Sequence, residues 1–395
     1  MNIKMQIPMS SPDITEAERQ AVAEVLQTPI LSMGARIGDF ETAIQSYVGT
    51  KHAIGVSSGT AGLHLCVRAA GIEQGDMVIT TPFSFVASSN VILFEQAIPV
   101  FVDIDPISGN IDPQLVNQAV QDLHMGEAAQ KRWLPRRGAE NAKQLKALLP
   151  VDVFGQPANF DPLVKIASKN GLIIIEDSCE ALGAEYKGKK AGTLGNYGVF
   201  AFYPNKQMTT GEGAIIITED DNAADYMRAL RNQGRAPGDT WLQHTHLGYN
   251  YRLDEMRAAL GAVQVTRLDS LIDNRAKVAD WYNERLRTIP GVEIPSIAPT
   301  TTRMSWFVYV IRFVKGIDRN SVAQKLIDYG VPARPYFLPI HLQPYMVSQF
   351  GYQPGDFPVT EDLGERSLAL PFSSIMTEDQ VDYVYHSVNK VINSM

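Results

Sequence analysis

From residue 52 to residue 177, short apolar runs alternate with helical stretches, and no other feature limits the fold as much. HAIGVSS is followed by GTAGLHLCVRAAG and DMVITTP by SFVASSNVILFEQA; IPVFVDID, KALLPVDVFG and GLIIIEDS continue the series. Runs that are apolar throughout read as strands buried on both faces. Separated by helices, they predict an α/β fold with a mostly parallel sheet covered on both sides.

The rest of the chain frames that sheet. In DITEAERQAVAEVLQT, Thr15 and Glu18 have capping-box spacing, and Val22, Val25 and Leu26 share one helical face. Gly34 and Gly38 are read as part of the loop before the next helix. Residues 122–146 are polar, basic and weakly periodic, which predicts a solvated surface insertion. Beyond about residue 260 the elements thin out. RLDSLIDNRAKVADWYNERLRTI reads as a long amphipathic helix, SWFVYVIRF as a strand, and NSVAQKLIDYG as a helix stopped at Gly330. The expectation is a large domain over 1–260 and a smaller α+β domain over 261–395.

Composition removes several functions. A net charge of −8 argues against nonspecific nucleic-acid binding, which needs a basic face. The two cysteines, Cys66 and Cys179, form no CxxC pair, so neither a disulfide framework nor a thiolate zinc site is expected. His244 and His246 read as an exposed loop rather than metal ligands. No apolar run reaches signal-peptide or membrane-spanning length, which predicts a cytoplasmic protein with no membrane partner.

One lysine stands out. In AFYPNKQMTTGEGAIII, Lys206 lies between two strand-like runs, where it either holds an anion, serves as an amine, or sits on a surface turn. IIIEDSCEALGA sets Glu176 and Asp177 at the carboxyl end of a strand, where open α/β sheets bind ligands, with Glu180 three residues on. Converging acids near a lysine suit an ionised cofactor or a metal. SSGTAGLHL offers small residues at a helix start, suited to one phosphate or to tight helix–sheet packing. TPFSFVASSN adds Phe83 and Phe85, either core rings or a stacking platform. Together these parts suit pyridoxal 5'-phosphate, which needs a phosphate cradle, a stacking ring, a carboxylate for its pyridine nitrogen and a lysine for its aldehyde.

IEDSCEALGA, FYPNKQMTTGEGA, SSGTAGLHL and LGYNYRLDEMRAALG resemble the DegT/StrS-type sugar aminotransferases, which are fold-type I pyridoxal-phosphate enzymes. FETAIQSYVGTKHAIGVSSGTAGL, PIHLQPYM and ERSLALPF extend the similarity almost end to end. The resemblance implies a seven-stranded large-domain sheet and a homodimer with shared active sites. It implies that Lys206 bonds the cofactor, Asp177 pairs with the pyridine nitrogen, and Glu180 lies near the ring hydroxyl. Gly59, Thr60 and Ala61 would hold the phosphate, Phe85 would stack on the ring, and Asn250 would reach the neighbouring subunit's cofactor. Arg252 is implied as a cross-subunit contact or a structural ion-pair residue; Tyr336 and His341 would line the sugar-nucleotide site.

The implied reaction moves an amino group from L-glutamate to a keto-sugar on a nucleoside diphosphate, with carbon 4 favoured slightly over carbon 3. The product would serve surface polysaccharide (O-antigen) or glycosylated-metabolite synthesis. The alternatives are a cyclitol aminotransferase, or a dehydratase or regulatory member of the same fold. Three positions depart from the common pattern: Ala201 where a Ser or Thr phosphate ligand is usual, Glu180 where Gln is common, and Asp152 where many members have His. The last is expected to bear on substrate choice.

Overall fold

The computed structural model describes residues 5–395. Its centre is the expected sheet: β1 (His52–Val56), β2 (Met77–Thr80), β3 (Ile98–Phe101), β4 (Leu145–Leu148) and β5 (Ile173–Asp177). Two short strands, β6 (Glu185–Tyr186) and β7 (Lys189–Lys190), turn aside before β8 (Tyr197–Ala201) and β9 (Ala214–Thr218) complete it. The order is β1-β9-β8-β5-β4-β2-β3. Pairings from β3 through β8 are parallel, and β9 alone runs antiparallel to both its neighbours.

The apolar runs are explained by burial on both faces. On β9, Ala214 and Ile216 pack into one core and Ile215 and Ile217 into the other. The first core holds α3 (Gly59–Ala69), α4 (Ala87–Phe94) and α8 (Asp221–Arg231). The second holds α2 (Ala35–Val48), α9 (Glu255–Thr266) and the start of α10 (Leu268–Leu286). α5 (Pro113–Met125) and α7 (Phe160–Asn170) cover the β2–β4 end. Gly62 brings α3 unusually close to the sheet, because a Cβ there would lie 2.8 Å from Val199 Cγ1.

α1 (Glu16–Leu26) begins as its spacing predicts, with the Thr15 N–H donating to the Glu18 carboxylate at 2.7 Å. Its buried face differs from the expected one: Val25 and Glu18 are buried, whereas Leu26 is 61% exposed. Glu18 also accepts from Gln264 and Arg267, so this acid, and not a third apolar side chain, ties α1 to α9. Gly38 lies inside α2 and not in the preceding loop; only Gly34 stands outside, as its N-cap.

The C-terminal part is built on an antiparallel sheet, β10-β12-β14-β13, of β10 (Val292–Glu293), β12 (Tyr309–Phe313), β13 (Arg334–Pro335) and β14 (Ser367–Leu370). α10, α11 (Arg319–Asp328) and α14 (Glu378–Ile392) enclose its core. β11 (Thr301–Arg303) pairs with β6 of the large sheet's side. The strand expected over SWFVYVIRF is confined to Tyr309–Phe313; the preceding Trp306 takes a left-handed φ of 54°. Residue 260 falls within α9, so a boundary at 260/261 would divide a continuous helix.

The expected insertion is less detached than its composition implies. Residues 122–125 finish α5, α6 (Glu127–Gln130) follows, and 145–146 already belong to β4. Arg136 pairs with Asp356 at 2.5 and 2.7 Å, and Arg137 donates to the Val347 carbonyl of α12 (Pro344–Phe350) at 3.0 Å. These arginines clasp the C-terminal part. Among the described residues, no helix is long and apolar enough to cross a membrane.

Candidate active site

A cavity of about 810 Å³ opens where the carboxyl ends of β5 and β8 meet the amino end of α3. Parallel strands end there and free helix N–H groups begin, so the fold supplies a ligand crevice.

The α3 end comes first. Ser58 is its N-cap, and the Ser58 hydroxyl accepts from Ala61 N at 3.1 Å. Gly59 and Thr60 open the helix, so their N–H groups have no intrahelical acceptor. Both residues line the cavity, whereas Ala61 does not. A Cβ on Gly59 would lie 3.0 Å from the Ala201 Cβ and 3.1 Å from the Cys179 sulfur, so any side chain would fill this cradle. The free donors and the positive helix end suit a phosphate. Ala201 brings no hydroxyl to the cradle, but Ser58 and Thr60 do.

At the far end stands Asp177, the last residue of β5. Ser88 Oγ donates to one carboxylate oxygen at 2.6 Å, and Cys179 N donates to the other at 3.2 Å. These bonds fix the carboxylate's orientation towards the cavity. Phe85, 64% exposed, presents its ring to the cavity, while Phe83 is core, packed edge-on against Phe154 and Phe337.

Lys206 reaches the cavity from the turn after β8, with its amine 3.6 Å from Glu180 and 3.7 Å from the centre of the Phe307 ring. Glu180 is buried and accepts from Phe154 N at 3.0 Å. Burial pushes its carboxyl up from the ordinary range, opposed chiefly by the charge of Lys206. A second carboxylate beside Asp177 is thus balanced by the lysine and by that backbone donor. The lysine turn is anchored at Gln207, whose amide donates to the Glu180 carbonyl and to Ser305 Oγ.

The remaining predicted residues divide. Tyr336 lines the cavity, and burial raises its phenol to about 12. His341 does not reach it: the ring is fully buried, bonded to Glu361 at 2.9 Å and packed against Phe357. Gln343, two residues on, lines the cavity instead. Asn250 is exposed and outside the lining of this chain's own cavity. Arg252 is also outside it and donates to Asn232 at 3.0 Å.

Asp152 has no access to a substrate. It is fully buried behind β5, accepting from Ala158 N at 2.9 Å and bonded to Ser178 Oγ at 2.6 Å. Glu176 points the same way, accepting from Leu194 N and Gly195 N. The expectation that Asp152 bears on substrate choice is corrected by that burial. Sequence reasoning missed Ser88 and Phe307, because a serine within a helix and a phenylalanine beside a strand carry no local signal. Ser88 could have been found only from its position in the first turn of the helix that starts just after Phe85.

The residues fit pyridoxal phosphate: a helix-end cradle emptied of side chains, an exposed ring, an oriented carboxylate and a half-screened lysine share one cavity. A model of the DegT/DnrJ/EryC1/StrS aminotransferase family matches residues 12–389. GDP-perosamine synthase of Caulobacter vibrioides is 34% identical over 391 residues, covering 98% of each chain. Spore coat polysaccharide biosynthesis protein SpsC of Bacillus subtilis is 33% identical over 399 residues, covering 98% of this chain and 97% of that one. The structure is similar to Helicobacter pylori PseC, an aminotransferase in pseudoaminic acid biosynthesis, with a TM-score of 0.88, 27% identity and coverage of 99% and 100%.

Proposed function

The chain belongs to the DegT/DnrJ/EryC1/StrS aminotransferase family, a pyridoxal-phosphate-dependent family, and from that premise we propose that it aminates a nucleotide-linked keto-sugar with L-glutamate as donor. The observation that carries this reading is the position of Lys206, whose amine shares one cavity with the Asp177 carboxylate and the α3 end. When bound, pyridoxal phosphate supplies an electron sink for the bonds broken at the substrate carbon. Gly59 and Thr60 would hold its phosphate through backbone N–H groups, and Phe85 would pack on its ring. Asp177, oriented by Ser88, would keep the proton of the pyridine nitrogen. Lys206 would bond the aldehyde, and its amine is the group that would carry a proton to and from the reacting carbon. Glu180 faces that amine from 3.6 Å and holds it on the cavity side.

The sugar is proposed as a nucleotide-linked deoxysugar with its keto group at carbon 4, slightly favoured over carbon 3; the GDP-perosamine synthases among the relatives carry a nucleotide-linked sugar in their name. Tyr336 and Gln343 line the side of the cavity where the sugar would enter. The active unit is proposed as a homodimer in which Asn250 reaches the partner's cofactor. Asn250 is exposed, and the same loop exposes Leu247 at 85% and Trp241 at 81%, apolar surface of the kind that a second subunit covers. A cytoplasmic location and the use of the product in surface polysaccharide synthesis belong to the same reading.

The test is an absorbance titration with pyridoxal phosphate, before and after L-glutamate, on the parent and on Lys206→Ala. A lysine-dependent band in the parent alone, converted by glutamate, supports the reading. A panel of nucleotide-linked keto-sugars, ketodeoxysugars and keto-cyclitols, read by product mass spectrometry, then identifies the acceptor. Conversion of cyclitols alone would replace the sugar proposal, and a band unmoved by glutamate would remove the donor.

A further inference from the structure

Arg275, in the middle of α10, is among the largest fully buried side chains of the protein. Among the described residues its guanidinium forms no ion pair. It donates instead to four backbone carbonyls: Nη1 to Trp306 at 3.1 Å and Phe307 at 3.2 Å, Nη2 to Asn205 at 3.2 Å and Lys206 at 2.5 Å. Nε has no partner. Burying a cation without a carboxylate is costly, and here the compensation comes from carbonyl dipoles and from the Phe372 ring, whose centre lies 5.6 Å from the guanidinium carbon. Burial pulls the guanidinium down to about 10, which leaves it charged near neutrality.

The four carbonyls belong to two separate segments, and both carry parts of the site. One is the turn that bears Lys206. The other carries Phe307, over whose ring the Lys206 amine sits at 3.7 Å. Trp306, in the second segment, holds a left-handed φ of 54°, a conformation that persists only where surroundings over-determine it. One planar fork thus fixes the base of the lysine side chain and the surface on which its amine rests. Arg275 itself is walled off from the cavity and touches no reacting atom.

We propose that Arg275 is the positioning residue of the active-site lysine, setting the relation between the Lys206 backbone and the Phe307 ring through its four carbonyl contacts. The inference rests on the reading of Lys206 as the lysine that bonds the cofactor. Lysine cannot replace arginine here, because a compact ammonium offers three donors from one point and cannot span two segments.

The experiment compares the full-length parent with Arg275→Lys and Arg275→Gln, each first checked for fold by circular dichroism and melting. Well below the melting temperature, three quantities are read. They are the rate of covalent attachment of pyridoxal phosphate, its location after borohydride reduction by peptide mass spectrometry, and kcat and KM for glutamate. In folded Arg275→Gln, attachment to Lys206 is expected to slow by about tenfold or more, because small misplacements of a reacting group are costly. kcat should fall with it while KM for glutamate stays nearly constant, and Arg275→Lys should fall between. Attachment at the parental rate in folded variants would overturn the proposal and leave Arg275 as a purely structural tie. Should Arg275→Gln fail to fold, Arg275→Lys decides alone, and parental attachment in it is the overturning result. A parent that does not attach pyridoxal phosphate to Lys206 would overturn the proposed function first, and this inference with it.

Discussion

Two pairs of buried acids stand back to back at the end of β5, and they have opposite surroundings. Asp177 and Glu180 face the cavity with Lys206, and their backbone donors are few: Cys179 N for one and Phe154 N for the other. Asp152 and Glu176 face the interior, where among the described residues neither pairs with a lysine or arginine and backbone donors fill the lone pairs. Glu176 accepts from Gly192, Leu194 and Gly195, Asp152 accepts from Ala158, and Ser178 Oγ bridges the two acids at 2.6 and 3.1 Å. Burial pushes both carboxyls up, Asp152 the further because Glu176 repels it. With a proton on Asp152, Asp152 donates to Ser178 and Ser178 donates to Glu176, so the interior pair carries one charge. The cavity pair keeps oxygens available to a ligand; the interior pair has spent its own on the strand end that presents Asp177.

This contrast can be broken from either side. The largest effect is expected at Asp177. Asp177→Asn should leave the melting temperature nearly unchanged and cut kcat by about a thousandfold, because an amide cannot hold a pyridinium proton. A fall of less than tenfold would remove Asp177 from the chemistry. Glu176→Gln should do the reverse. It sets an amide against backbone donors and should cost about 2 kcal/mol of stability by denaturant unfolding, with kcat at saturating cofactor close to parental. A large loss of kcat at unchanged stability would merge the two pairs into one functional unit.

A smaller effect falls on the support of the cavity acid. Ser88→Ala removes one hydrogen bond from Asp177 and should reduce kcat/KM about tenfold, equivalent to one charge-assisted bond. The smallest concerns pH. Asp152 binds its proton more tightly folded than unfolded, so it stabilises the protein below its ordinary value of 3.8. That contribution is lost as pH rises from there through its raised folded value. Asp152→Asn should therefore flatten the decline of melting temperature with rising pH, with kcat unchanged. A parallel pH profile in parent and variant would mean that Asp152 is not protonated in the folded state.

Much of this was legible in one dimension. Strands buried on both faces are apolar along most of their length, so the sheet announced itself, β9 included; the antiparallel direction of β9 did not, because direction leaves no trace in composition. Lys206, Asp177 and the Ser58–Gly59–Thr60 helix start could be picked out because each lies at a strand end or a helix end, where local pattern marks a crevice. The opposite fates of Glu176 and Asp177 follow from the alternation of side chains along a strand, yet which face opened to the cavity depended on where α3 and α4 packed.

His341 shows the limit from the other direction: its motif is intact, but Glu361, twenty residues on, draws the ring into the core. Arg275 lies further out of reach, since nothing in an amphipathic helix separates an arginine that snorkels to solvent from one that gathers four carbonyls. The sequence alone determined the α/β class, the family and the residues at the ends of β5, β8 and α3, because these depend on periodicity and neighbouring residues. Only the tertiary structure decided which acid meets the lysine, which histidine is buried and which arginine holds the lysine in place. Those outcomes turn on contacts between residues 20 to 70 positions apart, and a hydrogen bond formed at such separation has no signature along the chain.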